Sequence, residues 1–171
     1  MKKILLLLSF PLTALAGTSS EEWGKFDFDF DEGKSWVELQ AQLPDYPKEE
    51  NYLPFFVSAT TENKFYVDGK SISVGEDGVI RYTLIVRTSG GANNVTFEGM
   101  RCATSENKLY GFGRSDGTWS KARFSKWKEI EYKDVNRQHH VLHDDFFCQG
   151  SVPVKSAEDA VRALKSGYRP N

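Results

Sequence analysis

The stretch Glu76-Asp77-Gly78-Val79-Ile80-Arg81-Tyr82-Thr83-Leu84-Ile85-Val86-Arg87-Thr88 decides the fold class. After the turn-forming Glu76-Asp77-Gly78 the chain alternates at the two-residue period of a strand. Ile80, Tyr82, Leu84 and Val86 share one face, Arg81, Thr83 and Arg87 take the other, and Ile85 is the exception. This pattern predicts an antiparallel strand with one face on a core and the other largely wet.

Working outward, the same grammar repeats. Upstream, Lys64 to Val67 and Ser71 to Val74 read as two short strands around Asp68-Gly69, a pair that accepts the positive φ of a tight turn. Downstream, Ser89 to Asn94 is a glycine-rich reversal, and Val95 to Cys102 should return alongside. Lys108 to Gly113 continues the meander, and Ser115-Asp116-Gly117 turns it again. Trp119 to Ile130 alternates poorly, so a bulge or break is expected there. Helices come late. Asp134 to Phe147 lacks glycine and proline and puts His139, Leu142 and Phe146 on one helical face. Ser156, with Asp159 three places on, opens a second helix over Ala157 to Ser166, and Gly167 stops it. Toward the N-terminus, Trp36, Leu39 and Leu43 suggest a helical turn around Ser35 to Gln42. Leu43-Pro44 and Tyr46-Pro47 then impose an extended connector. Phe26 to Asp31 alternates aromatic and acid like a further strand. The sum is an α+β fold: a curved antiparallel sheet of five or six strands carrying two short helices.

The first sixteen residues have a different purpose. Lys2-Lys3, the apolar run Ile4 to Leu15 and the small-residue ending Ala14-Leu15-Ala16 predict a signal peptide cut after Ala16. The run is too short and too interrupted, by Ser9 and Pro11, to remain as a membrane span. No cysteine stands at the cut to take a lipid, so no direct membrane anchor is expected. Residues 17–171 should form a single exported, periplasmic domain. Losing Lys2 and Lys3 would leave 20 basic against 24 acidic side chains, net −4, which speaks against a nucleic-acid partner and against nonspecific binding to anionic lipid, leaving room for a local basic patch.

In an oxidising compartment Cys102 and Cys148, the two cysteines of the chain, are expected to form a disulfide. The loop of about 47 residues that it closes corresponds to about 4 kcal/mol in the chain-entropy model. A redox-active or metal-binding pair is the alternative, but the two are not in a C-x-x-C.

Several groups could carry chemistry. Arg81, Arg87, Glu98 and Arg101 are charges set in apolar strands, either cross-strand ion pairs or a face that recognises an anion through arginine forks. His139 and His143 lie one helical turn apart with Asp144 adjacent, a candidate metal site that lacks the glutamate of H-E-x-x-H. Asp27, Asp29, Asp31 and Glu38 have the spacing of a calcium loop, but Glu32 occupies the place of the essential glycine. Lys121, Arg123, Lys126 and Lys128 around Trp119, Phe124 and Trp127 read as a lysine-blunted sheet edge, the alternative being a surface that stacks on and neutralises a glycan or a nucleic-acid strand. Asn94-Val95-Thr96 is a glycosylation sequon that matters only in a eukaryotic host. No nucleophile elbow, phosphate loop, haem attachment or dinucleotide fingerprint is present, and no cofactor is implied.

The segments Asp77 to Leu84, Gly91 to Cys102 with its Glu98-Gly99-Met100-Arg101-Cys102, Lys108 to Gly113 and Gly117-Thr118-Trp119 resemble the cryptic neisserial protein-like family. Leu43-Pro44, Tyr46-Pro47, Trp127 and Phe146-Phe147-Cys148 extend the resemblance over residues 23 to 167. It implies a small exported bacterial domain and supplies no catalytic residue to carry over. The leading functional expectation is a noncatalytic envelope protein binding a protein or small anion through Arg81, Arg87, Glu98 and Arg101. A metal-binding protein or metal-dependent hydrolase built on His139 and His143, and a purely structural envelope component, are the alternatives.

Overall fold

A computed structural model describes residues 35–133 and 136–167. The leader, the Phe26 to Asp31 strand, the three aspartates of the calcium-loop pattern and the start of the first helix at Asp134 lie outside the described residues.

Seven antiparallel strands make the main sheet: β1 (Tyr52–Phe55), β2 (Lys64–Val74), β3 (Val79–Arg87), β4 (Asn93–Arg101), β5 (Glu106–Gly113), β6 (Trp119–Lys121) and β7 (Lys128–Glu129). The order is β1-β2-β3-β4-β5-β6, with β7 pairing the other end of β5. The expected break in the Trp119 to Ile130 stretch is therefore present, with residues 122–127 between two short pieces on one edge. Two helical elements follow. The first is α1 (Arg137–Val141), which widens into a π turn (Leu142–Phe147); the second is α2 (Ala157–Ser166). A two-stranded ribbon, β8 (Cys148–Gln149) with β9 (Val152–Pro153), lies between them. The α+β class, the antiparallel sheet and the two helices are as the sequence predicts. The Cys102–Cys148 disulfide is formed and joins the end of β4 to the end of the π turn.

Three local expectations are corrected. Lys64 to Val74 is one strand, with a register shift between Asp68 and Ser73 where a hairpin turn was expected. Side chains substitute for ladder bonds there: the Ser71 hydroxyl donates to the Asp68 carbonyl and accepts from the Thr83 amide. Residues 35–48 hold no helical turn. From Trp36 on they run extended across the outer face of the sheet, as Leu43-Pro44 and Tyr46-Pro47 require. That outer face is consequently not wet: every residue from Val79 to Ile85 is buried. Leu43 and Tyr46 press so closely that a Cβ on Gly111 or Gly113 would come within 2.9 Å of them.

The inner face holds the core. Tyr82 and Phe147 are fully buried with ring centroids 5.1 Å apart, and Ala160 and Leu164 of α2 close over β1 and β2. Ser156 caps α2 by accepting from the Asp159 amide, and Gly167 ends it at φ 62°. The helical layer covers β1 to β3. The inner face of β4 and β5 is left to line a cleft.

Candidate functional cleft

Register decides which side chains enter that cleft. Tyr82 pairs with Glu98 and Ile80 with Met100, so Glu98 shares the inner face with Tyr82, opposite to Arg81. Asn107 and Leu109 join it from β5. The facing wall comes from Phe124 to Glu131 and from the start of α1. Together they enclose about 700 Å³.

Glu98 sits on the floor, 5% exposed. Its Oε2 accepts from His139 Nε2 at 2.8 Å and from the Tyr82 hydroxyl at 3.1 Å, while Oε1 accepts from the Thr96 hydroxyl at 2.7 Å. Burial alone would raise the carboxyl pKa, but the His139 charge and these three donors hold it below its usual value. For His139 burial favours the neutral ring, and the Glu98 charge and hydrogen bond reverse that and raise its pKa. Each group of the pair thus favours the charged form of the other. Lys126 and Lys128 stand exposed on the rim, and Glu131 there is tied to Lys133 at 3.0 Å. Glu129, next to Lys128, also lines the cleft.

The four residues expected to form one recognition face are not brought together. Arg81, 6% exposed, lies under the 36–47 segment. It reaches both oxygens of Asp77, at 2.7 and 3.2 Å, and the Leu39 carbonyl at 2.7 Å. Burial would raise the Asp77 pKa, but bonds from Arg81, Leu39 and Val79 pull it down. Arg87 binds Glu49 at 2.8 Å and Asn93 at 2.9 Å. Arg101 lies 3.9 Å from the Trp36 ring centroid and 3.8 Å from Glu106. Each arginine has a partner within the chain, and Glu98 belongs to the other side.

The candidate metal ligands also diverge. His139 is spent on Glu98, whereas His143 Nδ1 bonds Asp144 and His140 Nδ1 lies 3.3 Å from the same carboxylate. Among the described residues no three histidine, cysteine, aspartate or glutamate side chains are arranged to hold a metal ion. Glu38, the last position of the calcium-loop pattern, receives Lys108 Nζ, the Tyr110 hydroxyl and Trp127 Nε1.

Sequence reasoning found Glu98 and His139 separately and missed their pairing, together with Tyr82, Thr96 and Asn107. The available signal was an acid inside an otherwise apolar strand. A partner for it required the β3–β4 register.

The arrangement defines a small α+β domain whose half-covered sheet forms a charged cleft. The CNP1-like family model matches residues 31–165, and the chain belongs to that family. It is similar to Cryptic neisserial protein 1 of Neisseria gonorrhoeae, 29% identical over 151 residues, covering 77% of this chain and 72% of that protein. No solved structure matches it. Among the described residues no helix is long and apolar enough to cross a membrane.

Proposed function

We propose that the chain is an exported, noncatalytic envelope protein that binds a small organic anion in the cleft between β4, β5 and α1. The observation that carries this reading is the polar volume of about 700 Å³ floored by the Glu98–His139 pair and rimmed by Lys126 and Lys128. Among the described residues neither rim lysine has an ion-pair partner, and Glu98 and Glu131 are tied to His139 and Lys133, so two free lysines stand against one free acid, Glu129, and the cleft favours negative charge. Leu109 and Ile130 give an apolar body somewhere to rest, while Asn107 and Asn136 offer hydrogen bonds. Export is supported by the leader pattern and by a disulfide of the kind retained in oxidising compartments.

A thermal-shift series with phosphate, acetate, succinate and benzoate tests the proposal. At least one probe should raise the unfolding midpoint by a few degrees, since saturation at about 100 Kd adds about 2.7 kcal/mol. The Lys126→Ala, Lys128→Ala double variant should lose that gain. No stabilisation by any probe, or equal stabilisation of the variant, refutes the reading.

A further inference from the structure

Residues 121–128 are held in an alternating way that the small-anion reading does not use. Three of them are fastened inward. The Ala122 amide donates to the Tyr110 carbonyl at 2.9 Å, the Ser125 hydroxyl donates to the Leu109 carbonyl, and Trp127 Nε1 donates to Glu38 at 3.1 Å. Trp127 is also held by Lys108 over its ring and by Trp36 at its edge. The residues between these ties are exposed. Phe124 is 88% exposed, and Lys121, Arg123, Lys126 and Lys128 are all exposed. None of the four cations has an ion-pair partner among the described residues. The result is one exposed aromatic ring on a pinned loop that also carries four exposed cations, on a chain whose net charge is −2.

We infer that this loop docks the protein on an anionic lipid surface, with Phe124 entering the boundary between headgroups and acyl chains. A phenylalanine left 88% exposed on a loop that carries four cations suits insertion into an anionic, fluid interface. Basic residues around it gain from the negative surface potential of an acidic leaflet. The pinned backbone means that little order has to be imposed on contact. The acidic neighbours do not cancel the patch, because Glu131 is paired with Lys133 and Glu129 alone stands against the four cations. This docking goes beyond the anion-binding reading: Phe124, Lys126 and Lys128 also line the cleft, but Lys121 and Arg123 lie outside it, so their variant tests docking separately.

Cosedimentation of the full chain with vesicles of phosphatidylethanolamine and phosphatidylglycerol in equal parts tests the inference, with phosphatidylcholine vesicles as the uncharged comparison. All variants share the same N-terminal residues, so differences between them report the loop. The chain should bind the acidic vesicles in a salt-sensitive way and the uncharged ones far more weakly. Phe124→Ser should weaken binding about tenfold, and Lys121→Gln with Arg123→Gln roughly fivefold for each cation removed, all with unfolding midpoints unchanged because these side chains are exposed. Absence of binding, equal binding to both vesicle types, or indifference to both variants would overturn it. So would retention on immobilised heparin without vesicle binding, which would reassign the patch to soluble polyanions. Vesicle binding by a chain that no small anion stabilises would leave this inference standing and remove the anion-binding one.

Discussion

Glu98 and His139 form an ion pair at the floor of the cleft, and their linkage to pH follows from the direction each is pushed. Glu98 is held below its usual 4.5, so its contribution to stability is present above that value and lost as pH falls through the lowered one. His139 is held above its usual 6.5, so its contribution is full below that value and lost as pH rises through the raised one. The pair therefore contributes most between 4.5 and 6.5. His139→Ala leaves a buried carboxylate without its cation and should cost about 3–5 kcal/mol in urea unfolding within that window. It should also remove the decline on the alkaline side, and a variant that keeps the wild-type pH profile would contradict the ion-pair assignment. Both residues were legible in the sequence as isolated oddities, an acid in a strand and a histidine on an apolar helical face. Their meeting was not, because the glycine-rich Ser89 to Asn94 reversal leaves the hairpin register open. A slip of one residue would have put Glu98 beside Arg81.

At the scale of elements, the segment over the outer face has the largest consequence. The sequence marked Val79 to Thr88 as a strand correctly, yet gave no sign that Arg81 would be covered. Trp36, Leu39 and Leu43 have helical spacing, but what holds them is outside their own segment. Trp36 Nε1 donates to the Asp77 carbonyl and the Leu39 amide to the Asp77 carboxylate, while Trp119 Nε1 donates to the Pro44 carbonyl. Long-range partners of this kind leave no local periodicity to read. The helix beginning at Arg137 was legible as far as Val141, and its widening into a π turn was not, since it is the packing of Phe146 and Phe147 that absorbs the looser winding. Asp77 and Arg81 are 1% and 8% exposed at the side chain, so Arg81→Ala strands a buried carboxylate and unfastens the covering segment at Leu39. Urea unfolding should show a loss of about 3–5 kcal/mol. Amide exchange should quicken at Leu39 ahead of the β3 core. A loss below about 1 kcal/mol, the range of an exposed ion pair, would mean that the segment does not cover Arg81 in solution.

For the whole molecule, the two faces of one sheet are closed by unlike means, and the disulfide belongs to only one of them. The outer face is covered by a chain segment tied through Asp77, Arg81 and Glu38, whereas the inner face is covered by helices fastened at Cys148 to the end of β4. The cysteines are 46 residues apart in sequence, and the helical layer from α1 through the π turn lies within that loop. Cutting the bond should therefore release the inner layer while leaving the outer covering chemically intact. Cys102→Ser with Cys148→Ser is expected to lower the unfolding free energy by about 4 kcal/mol, and reductant should then have no further effect. Because the cleft is built where the helical layer stops, the same variant should weaken the Glu98–His139 contact before the sheet itself melts. Near-ultraviolet dichroism from Tyr82 and the tryptophans against temperature would separate the two layers. Simultaneous loss of both signals would show that the sheet depends on its helices throughout, and that the half-covered inner face is not an independently stable platform for the cleft.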